Sequence, residues 1–191
     1  MMSKVSSLEQ KKYFNAIEFM KERHGDQLRS FSLTPYYTHP IRVASLVMKF
    51  KESHKIDDLI YASLFHDLVE DTLTTIDEIK ALYNPIVASL IDELTSNKQD
   101  ISCLGKVNYL SIKMTRMSSW ALVIKLCDRL DNVNDFIYAP DSFVKKYSAE
   151  TREILSNLLR ERSELSKTHL HIINIIKKSL DIGESSERTY D

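Results

Sequence analysis

Four ionisable side chains crowd the segment His66-Asp67-Leu68-Val69-Glu70-Asp71-Thr72. Neutral imidazole and carboxylate together suit a divalent transition metal such as manganese, iron or zinc. Neighbours on an ideal helix point about 100° apart, so His66 and Asp67 reach one ion only if it sits over their shared edge. His66 and Glu70 are i,i+4 partners, as are Asp67 and Asp71, while Asp67 and Glu70 are i,i+3. Ala62, Leu64 and Phe65 just before them read as buried. Three carboxylates beside a core are costly unless a cation or good partners compensate. The plainer reading is an exposed acidic helix end, but negative charge at a helix C-terminus opposes the macrodipole.

Two further segments set polar groups in apolar surroundings. Pro35-Tyr36-Tyr37-Thr38-His39-Pro40 puts a histidine just before a proline-started helix. Ile124-Lys125-Leu126-Cys127-Asp128-Arg129-Leu130-Asp131-Asn132 puts an aspartate at the end of the apolar run Trp120-Ala121-Leu122-Val123-Ile124. Singly, His39 reads as a loop or capping histidine and Asp128 as a partner of Arg129 or Lys125. Together, His39, His66, Asp67 and Asp128 form a two-His, two-Asp set drawn from three segments.

These side chains need elements to hold them. Three glycines and four prolines in 191 residues are too few turn formers for a sheet-rich domain, and the apolar spacing is helical almost throughout. Tyr13, Ala16, Ile17 and Met20 make one face. Ile41, Ala44, Leu46, Val47 and Phe50 predict a second helix from Pro40. Ile56, Leu59, Ile60 and Leu64 predict a third, running to about Val69. Thr75, with Glu78 three residues on, reads as a capping box, and Pro85 opens the next helix. Ile101 to Arg116 and Trp120 to Val133 predict two more. Ala149 to His171 predicts one long helix, with a continuation towards Leu180. The expected fold class is all-α: one bundle of about eight helices over residues 1–182, with 183–191 a polar, frayed tail.

Composition narrows the function classes. A hydrophobic share of 43% with 28% charged residues is the balance of a soluble globular domain. The net charge of −1 argues against broad attraction to nucleic acid. No apolar run nears the roughly 18 residues that span a bilayer, and MMSKVSSLEQKKYF has no apolar signal region. Cys103 and Cys127 are too few for a disulfide scaffold and lack zinc-site spacing. They read as reduced packing residues of a cytoplasmic protein. A homo-oligomer is left open.

The order H…HD…D with these flanks resembles the HD superfamily of metal-dependent phosphohydrolases. The finer resemblance is to the hydrolase domain of RelA/SpoT proteins and the small alarmone hydrolases, whose motifs are PYxxHP, HDxxEDT and KLxDRLxN. They stand here as Pro35–Pro40, His66–Thr72 and Lys125–Asn132. The similarity also takes in Gln27-Leu28-Arg29, like the family's QxR, and Glu150-Thr151, and covers about residues 8–160. No synthetase region lies in these 191 residues.

The resemblance implies a single divalent ion, usually manganese, held by His39, His66, Asp67 and Asp128. It implies that Glu70 and Asp71 are the acidic pair orienting the attacking water, and that Asn132 contacts the substrate ribose. Arg29 would stack on guanine, and Thr151 is a weaker carry-over as a pocket residue. The implied reaction removes the 3′-pyrophosphate from (p)ppGpp, giving GDP or GTP and pyrophosphate. Arg29, Arg42 and Arg129 are candidates for neutralising the polyphosphate, unless Arg129 pairs with Asp67 or Glu70. Three departures bear on nucleotide choice. Asp131 stands where the family has His, Ser30 where it has a basic residue, and Gln27–His39 is about one residue longer than the RelA/SpoT pattern.

Ser30 and Asp131 favour a rival, an HD enzyme acting on another nucleotide, whereas HDLVEDT argues against it. A non-catalytic nucleotide-binding or metal-stabilised regulatory module has no need of the Glu70-Asp71 pair. A helical interaction domain without a site leaves three motifs unexplained.

Overall fold

The computed structural model describes residues 7–185. Among these it has eleven α-helices, one 3₁₀ turn (Asp135–Tyr138), an isolated antiparallel bridge from Leu28 to Pro35, and no strand. The all-α class is as expected. The helices outnumber the expected eight because three predicted spans are interrupted, each for a local reason.

The chain folds as two compact units. The first runs through Arg29 and takes in Thr34–Thr95; the second takes Ser30–Leu33 and everything from Ser96 onward. The first unit holds α1 (Ser7–His24), α2 (Thr38–Phe50), α3 (Ile56–Phe65), α4 (Leu68–Asp71), α5 (Ile76–Leu82) and α6 (Pro85–Leu94). Its centre is α3, where every residue from Asp58 to Phe65 is buried. Full burial of side chains such as Leu59, Leu64 and Phe65 contributes about 1.5–3 kcal/mol each. Phe65 meets Phe19 of α1 edge-on, with ring centroids 5.7 Å apart, and packs on Tyr83 at 4.6 Å. Burial, and then the neighbouring Tyr61, push the Tyr83 hydroxyl up to about 12. As predicted, Thr75 caps α5 by accepting from the Glu78 amide. The Glu78 side chain does not close the box; it takes the guanidinium of Arg23 instead. Asn84 caps α6 ahead of Pro85, and its amide donates to Asp58 Oδ1 at 2.8 Å.

The predicted third helix breaks at the His-Asp dipeptide. Phe65 ends α3, and α4 is a separate single turn with Glu70 and Asp71 in it. The acidic pair therefore does not sit at the C-terminus of a long apolar helix.

The second unit holds α7 (Lys98–Leu104), α8 (Lys106–Arg116), α9 (Ser119–Asn134), α10 (Asp141–Glu161) and α11 (Lys167–Ser185). The predicted helix from Ile101 is divided at Gly105, whose φ of 77° suits only glycine without strain. The predicted long helix from Ala149 starts earlier, behind Pro140, and stops at Glu161. There Arg162 turns its Nη1 onto the carbonyls of Met114, Thr115 and Met117, the nearest at 2.7 Å. The chain restarts as α11 with Ser166 Oγ accepting from the His169 amide. Helix α11 runs to Ser185, into the stretch expected to fray from Gly183; residues 186–191 lie outside the described residues.

Helix α9 is the centre of this unit, with Ala121 to Ile124, Leu126 and Cys127 fully buried. Cys127 is a packing residue as expected, and burial, helped by Asp128, pushes its thiol up. Cys103 is exposed on α7, a helix that buries none of its residues, so its expected packing role does not hold. No helix among the described residues is long and apolar enough to cross a membrane.

Candidate metal centre

In the first unit, the break between α3 and α4 presents His66 and Asp67 together. His66 is 1% exposed. Its Nδ1 lies 2.8 Å from the Ser63 carbonyl. A carbonyl only accepts, so Nδ1 carries the ring proton and Nε2 carries a lone pair. That Nε2 is 3.1 Å from Asp67 Oδ2. His39, in the first turn of α2 and equally buried, places its own Nε2 3.6 Å from the same oxygen. The two rings meet edge to face, with centroids 5.2 Å apart, and offer ligand nitrogens within 4.8 Å of one another.

The His66 lone pair facing a carboxylate oxygen is an acceptor facing an acceptor, an arrangement that a cation between them stabilises. Ligands each about 2.0–2.2 Å from a shared ion stand about 3 Å apart at right angles and farther at wider angles. The spacings at Asp67 Oδ2 match that, so this donor set fits one divalent ion.

Support around these side chains is equally specific. Tyr36 donates its phenolic hydrogen to Asp67 Oδ2 at 2.7 Å. The loop before α2 is pinned by hydrogen bonds from Tyr36 N to the Gln27 carbonyl and from Arg29 N to the Thr34 carbonyl. Arg29 lies over the Tyr36 ring, 5.7 Å from its centroid. Gln27 Nε2 donates to the Asp71 carbonyl at 3.0 Å. Burial and then the charge of Asp67 hold the Asp71 carboxyl above the usual range, against smaller opposing effects of His24, Tyr36 and His66. Such a carboxylate is a better proton acceptor than a solvated one. Glu70 shares the single turn of α4.

In the second unit, the third motif lies on the buried part of α9. Asp128 is 7% exposed, and both its oxygens are held by its own helix: Lys125 Nζ at 2.9 Å on Oδ2 and Asn132 Nδ2 at 2.7 Å on Oδ1. Asn132 is thus hydrogen-bonded to the motif aspartate. Asp131 is buried on the same helix, and Ser30 is exposed. Thr151 is fully buried in α10 and accepts from Arg129 Nη1 at 2.8 Å. The Arg129 guanidinium also lies over the Tyr147 ring at 5.2 Å.

Two residues of the first unit escaped sequence reasoning, Tyr36 as the hydrogen-bond donor to Asp67 and the buried His24. Tyr36 stands inside the PYxxHP motif, which was the available signal; nothing in the spacing marks His24.

The HD domain family model matches residues 16–165. The chain belongs to the HD-domain family. A guanosine-3′,5′-bis(diphosphate) 3′-pyrophosphohydrolase of Aquifex aeolicus (strain VF5) is 36% identical to this HD-domain chain over 152 residues, covering 75% of it and 20% of that protein. A protein of the same description from Haemophilus influenzae is 26% identical over 185 residues, covering 88% and 27%. The chain therefore spans about a fifth to a quarter of the length of these curated relatives. Among solved structures, one described as a metazoan ortholog of SpoT that hydrolyzes ppGpp and plays a role in starvation responses superposes with a TM-score of 0.71. It is 22% identical, covers 92% of this chain and is itself 97% covered, which establishes the all-α HD fold.

Proposed function

We propose that this HD domain is a manganese-dependent hydrolase that removes the 3′-pyrophosphate from ppGpp and pppGpp, giving GDP or GTP and pyrophosphate. The observation that carries the reading is the meeting of His39, His66 and Asp67 around Asp67 Oδ2, one turn before the Glu70-Asp71 pair. The names of the curated relatives support the choice of substrate.

In this reading His39, His66 and Asp67 hold the ion, and Asp128 of the third motif is the fourth ligand. When bound, a divalent ion lowers the pKa of a water and polarises a phosphoryl oxygen. The water's oxygen goes to the phosphorus, and the bond to the ribose 3′-oxygen breaks. Glu70 and Asp71 orient that water, and Asp71 takes up its proton for relay to the leaving oxygen. Arg29 stacks on the guanine and Asn132 contacts the ribose. Thr151 lines the pocket and holds Arg129, which with Arg29 and Arg42 offsets the phosphate charge. The enzyme acts in the cytoplasm on a small nucleotide, without nucleic acid or membrane as partner, and self-association is compatible with it.

Ser30 and Asp131 favour a second reading in which the same centre serves another nucleotide. Turnover of ppGpp, other 3′-phosphorylated nucleotides and NADPH, each with and without manganese, separates the two. Release of pyrophosphate from ppGpp, dependent on the ion, is expected. Orthophosphate release, or preference for another nucleotide, would replace the first reading by the second.

A further inference from the structure

His24 belongs to none of the three motifs, yet it closes α1 at 3% exposure. Its Nδ1 lies 2.9 Å from Gln27 Oε1. The far end of that glutamine fixes the tautomer. Gln27 Nε2 donates to the Asp71 carbonyl, so the amide oxygen must face the imidazole, and Nδ1 must carry the hydrogen. Nε2 is then a lone-pair acceptor. That atom is buried and has no hydrogen-bond partner among the described residues.

The surroundings are those of the metal centre. The His24 ring packs on Tyr36 with centroids 4.7 Å apart, and Tyr36 holds Asp67. The charges of Asp67 and Asp71, and the ring of His66, all act on His24. Buried acceptors are almost always satisfied. Here a dedicated glutamine fixes an acceptor within electrostatic reach of the carboxylates of Asp67 and Asp71, which are acceptors too. The molecule that suits such a place is a donor of two hydrogens, which is water.

We propose that His24 Nε2 accepts a hydrogen bond from the water oriented by Glu70 and Asp71, making His24 a third catalytic group with its tautomer selected by Gln27. The assignment rests on the hydrolase reading above. It also explains why one glutamine spans His24 and Asp71: a single side chain sets the acceptor and ties down the end of the acidic turn.

Two substitutions separate this role from simple packing. His24→Asn keeps a donor where Nδ1 was, towards Gln27, and deletes the Nε2 acceptor. His24→Gln places an amide near the Nε2 position and gives up the bond to Gln27. With manganese-loaded protein and ppGpp, His24→Asn is expected to melt near wild type with kcat down at least about tenfold, somewhat below the usual general-base range, and KM within about twofold. His24→Gln is expected to keep more turnover than His24→Asn despite a weaker fold. The reverse order, with His24→Asn fully active, would overturn the assignment.

A readout without substrate guards against variants that fail to fold or a wrong substrate. In wild-type protein with ¹⁵N-labelled histidines, His24 is expected as the Nδ1–H tautomer, with Nε2 shifted as for a nitrogen that accepts a hydrogen bond. An Nε2–H tautomer, or an Nε2 in apolar surroundings, would overturn the proposal. Wild-type protein inactive on ppGpp but with the expected spectrum would reject the substrate reading and leave the water site standing.

Discussion

The phenolic oxygen of Tyr36 lies 2.7 Å from Asp67 Oδ2, the oxygen that both His39 Nε2 and His66 Nε2 approach. One hydroxyl thus restrains the carboxylate on which the two histidines converge. Groups that orient a metal ligand in this way typically contribute about 10–100-fold to metal affinity. Tyr36→Phe is therefore expected to weaken manganese binding by about that factor while the ion-free protein melts close to wild type. Titration calorimetry measures the first and thermal unfolding the second. Unchanged affinity would mean that Asp67 is held by its neighbours alone.

Neutralising the acidic turn should separate chemistry from binding. The double change Glu70→Gln and Asp71→Asn keeps size and hydrogen-bonding capacity. Bound manganese and fold are expected to persist while kcat on ppGpp falls at least about a hundredfold. Metal content is measured first, then turnover of the loaded variant. Near wild-type turnover rejects the catalytic assignment, and loss of metal makes the pair ligands.

Asp128 is buried with Lys125 and Asn132 on its two oxygens. Asp128→Ala takes the carboxylate from a largely buried ammonium and from an amide. The cost is expected to be about 2 kcal/mol or more of unfolding free energy, together with loss of manganese. Full metal content with unchanged denaturant unfolding would remove Asp128 from the ligand set.

Burial is the main cause that lowers the His24 pKa below the ordinary 6.5, against smaller raising effects of Gln27, Asp67 and Asp71. The unfolded chain therefore takes up a proton at a pH where the folded ring stays neutral. The stability contribution is complete above 6.5 and drains away as pH falls from there through the folded value. In chelator-treated protein, the loss of stability between about pH 7.5 and about pH 5.5 should be smaller for His24→Gln than for wild type. Equal losses would mean that His24 is protonated alike in both states.

How far the sequence was legible depended on distance along the chain. Capping by Thr75, the start of α6 at Pro85 and the apolar face of α1 rest on local spacing, and they stand as read. Residue type and motif flank marked His39, His66, Asp67 and Asp128 as a set, and the two histidines meet at Asp67. The interruptions carried no such mark. Helix α3 stops just before His66, whose ring engages the Ser63 carbonyl, and Arg162 caps α8 across 45 to 48 residues. Both are decided by side-chain hydrogen bonds that no apolar period encodes. Tyr36 reaches Asp67 across 31 residues, and Gln27 reaches Asp71 across 44. Such pairings exist only after the chain has folded.

A helix of four residues has almost no stability of its own, since the first turn fixes several dihedrals for one hydrogen bond. The order of α4 is borrowed, through the Asp71 and Thr72 amides bonded to the Asp67 and Leu68 carbonyls and through Gln27 on the Asp71 carbonyl. Whatever tightens Asp67 tightens the turn that carries Glu70 and Asp71. The amide protons of Asp71 and Thr72 should therefore behave as built-in reporters. Their exchange with solvent deuterium should be fast in ion-free protein and slow sharply when the site is filled, while amides deep in α3 barely change.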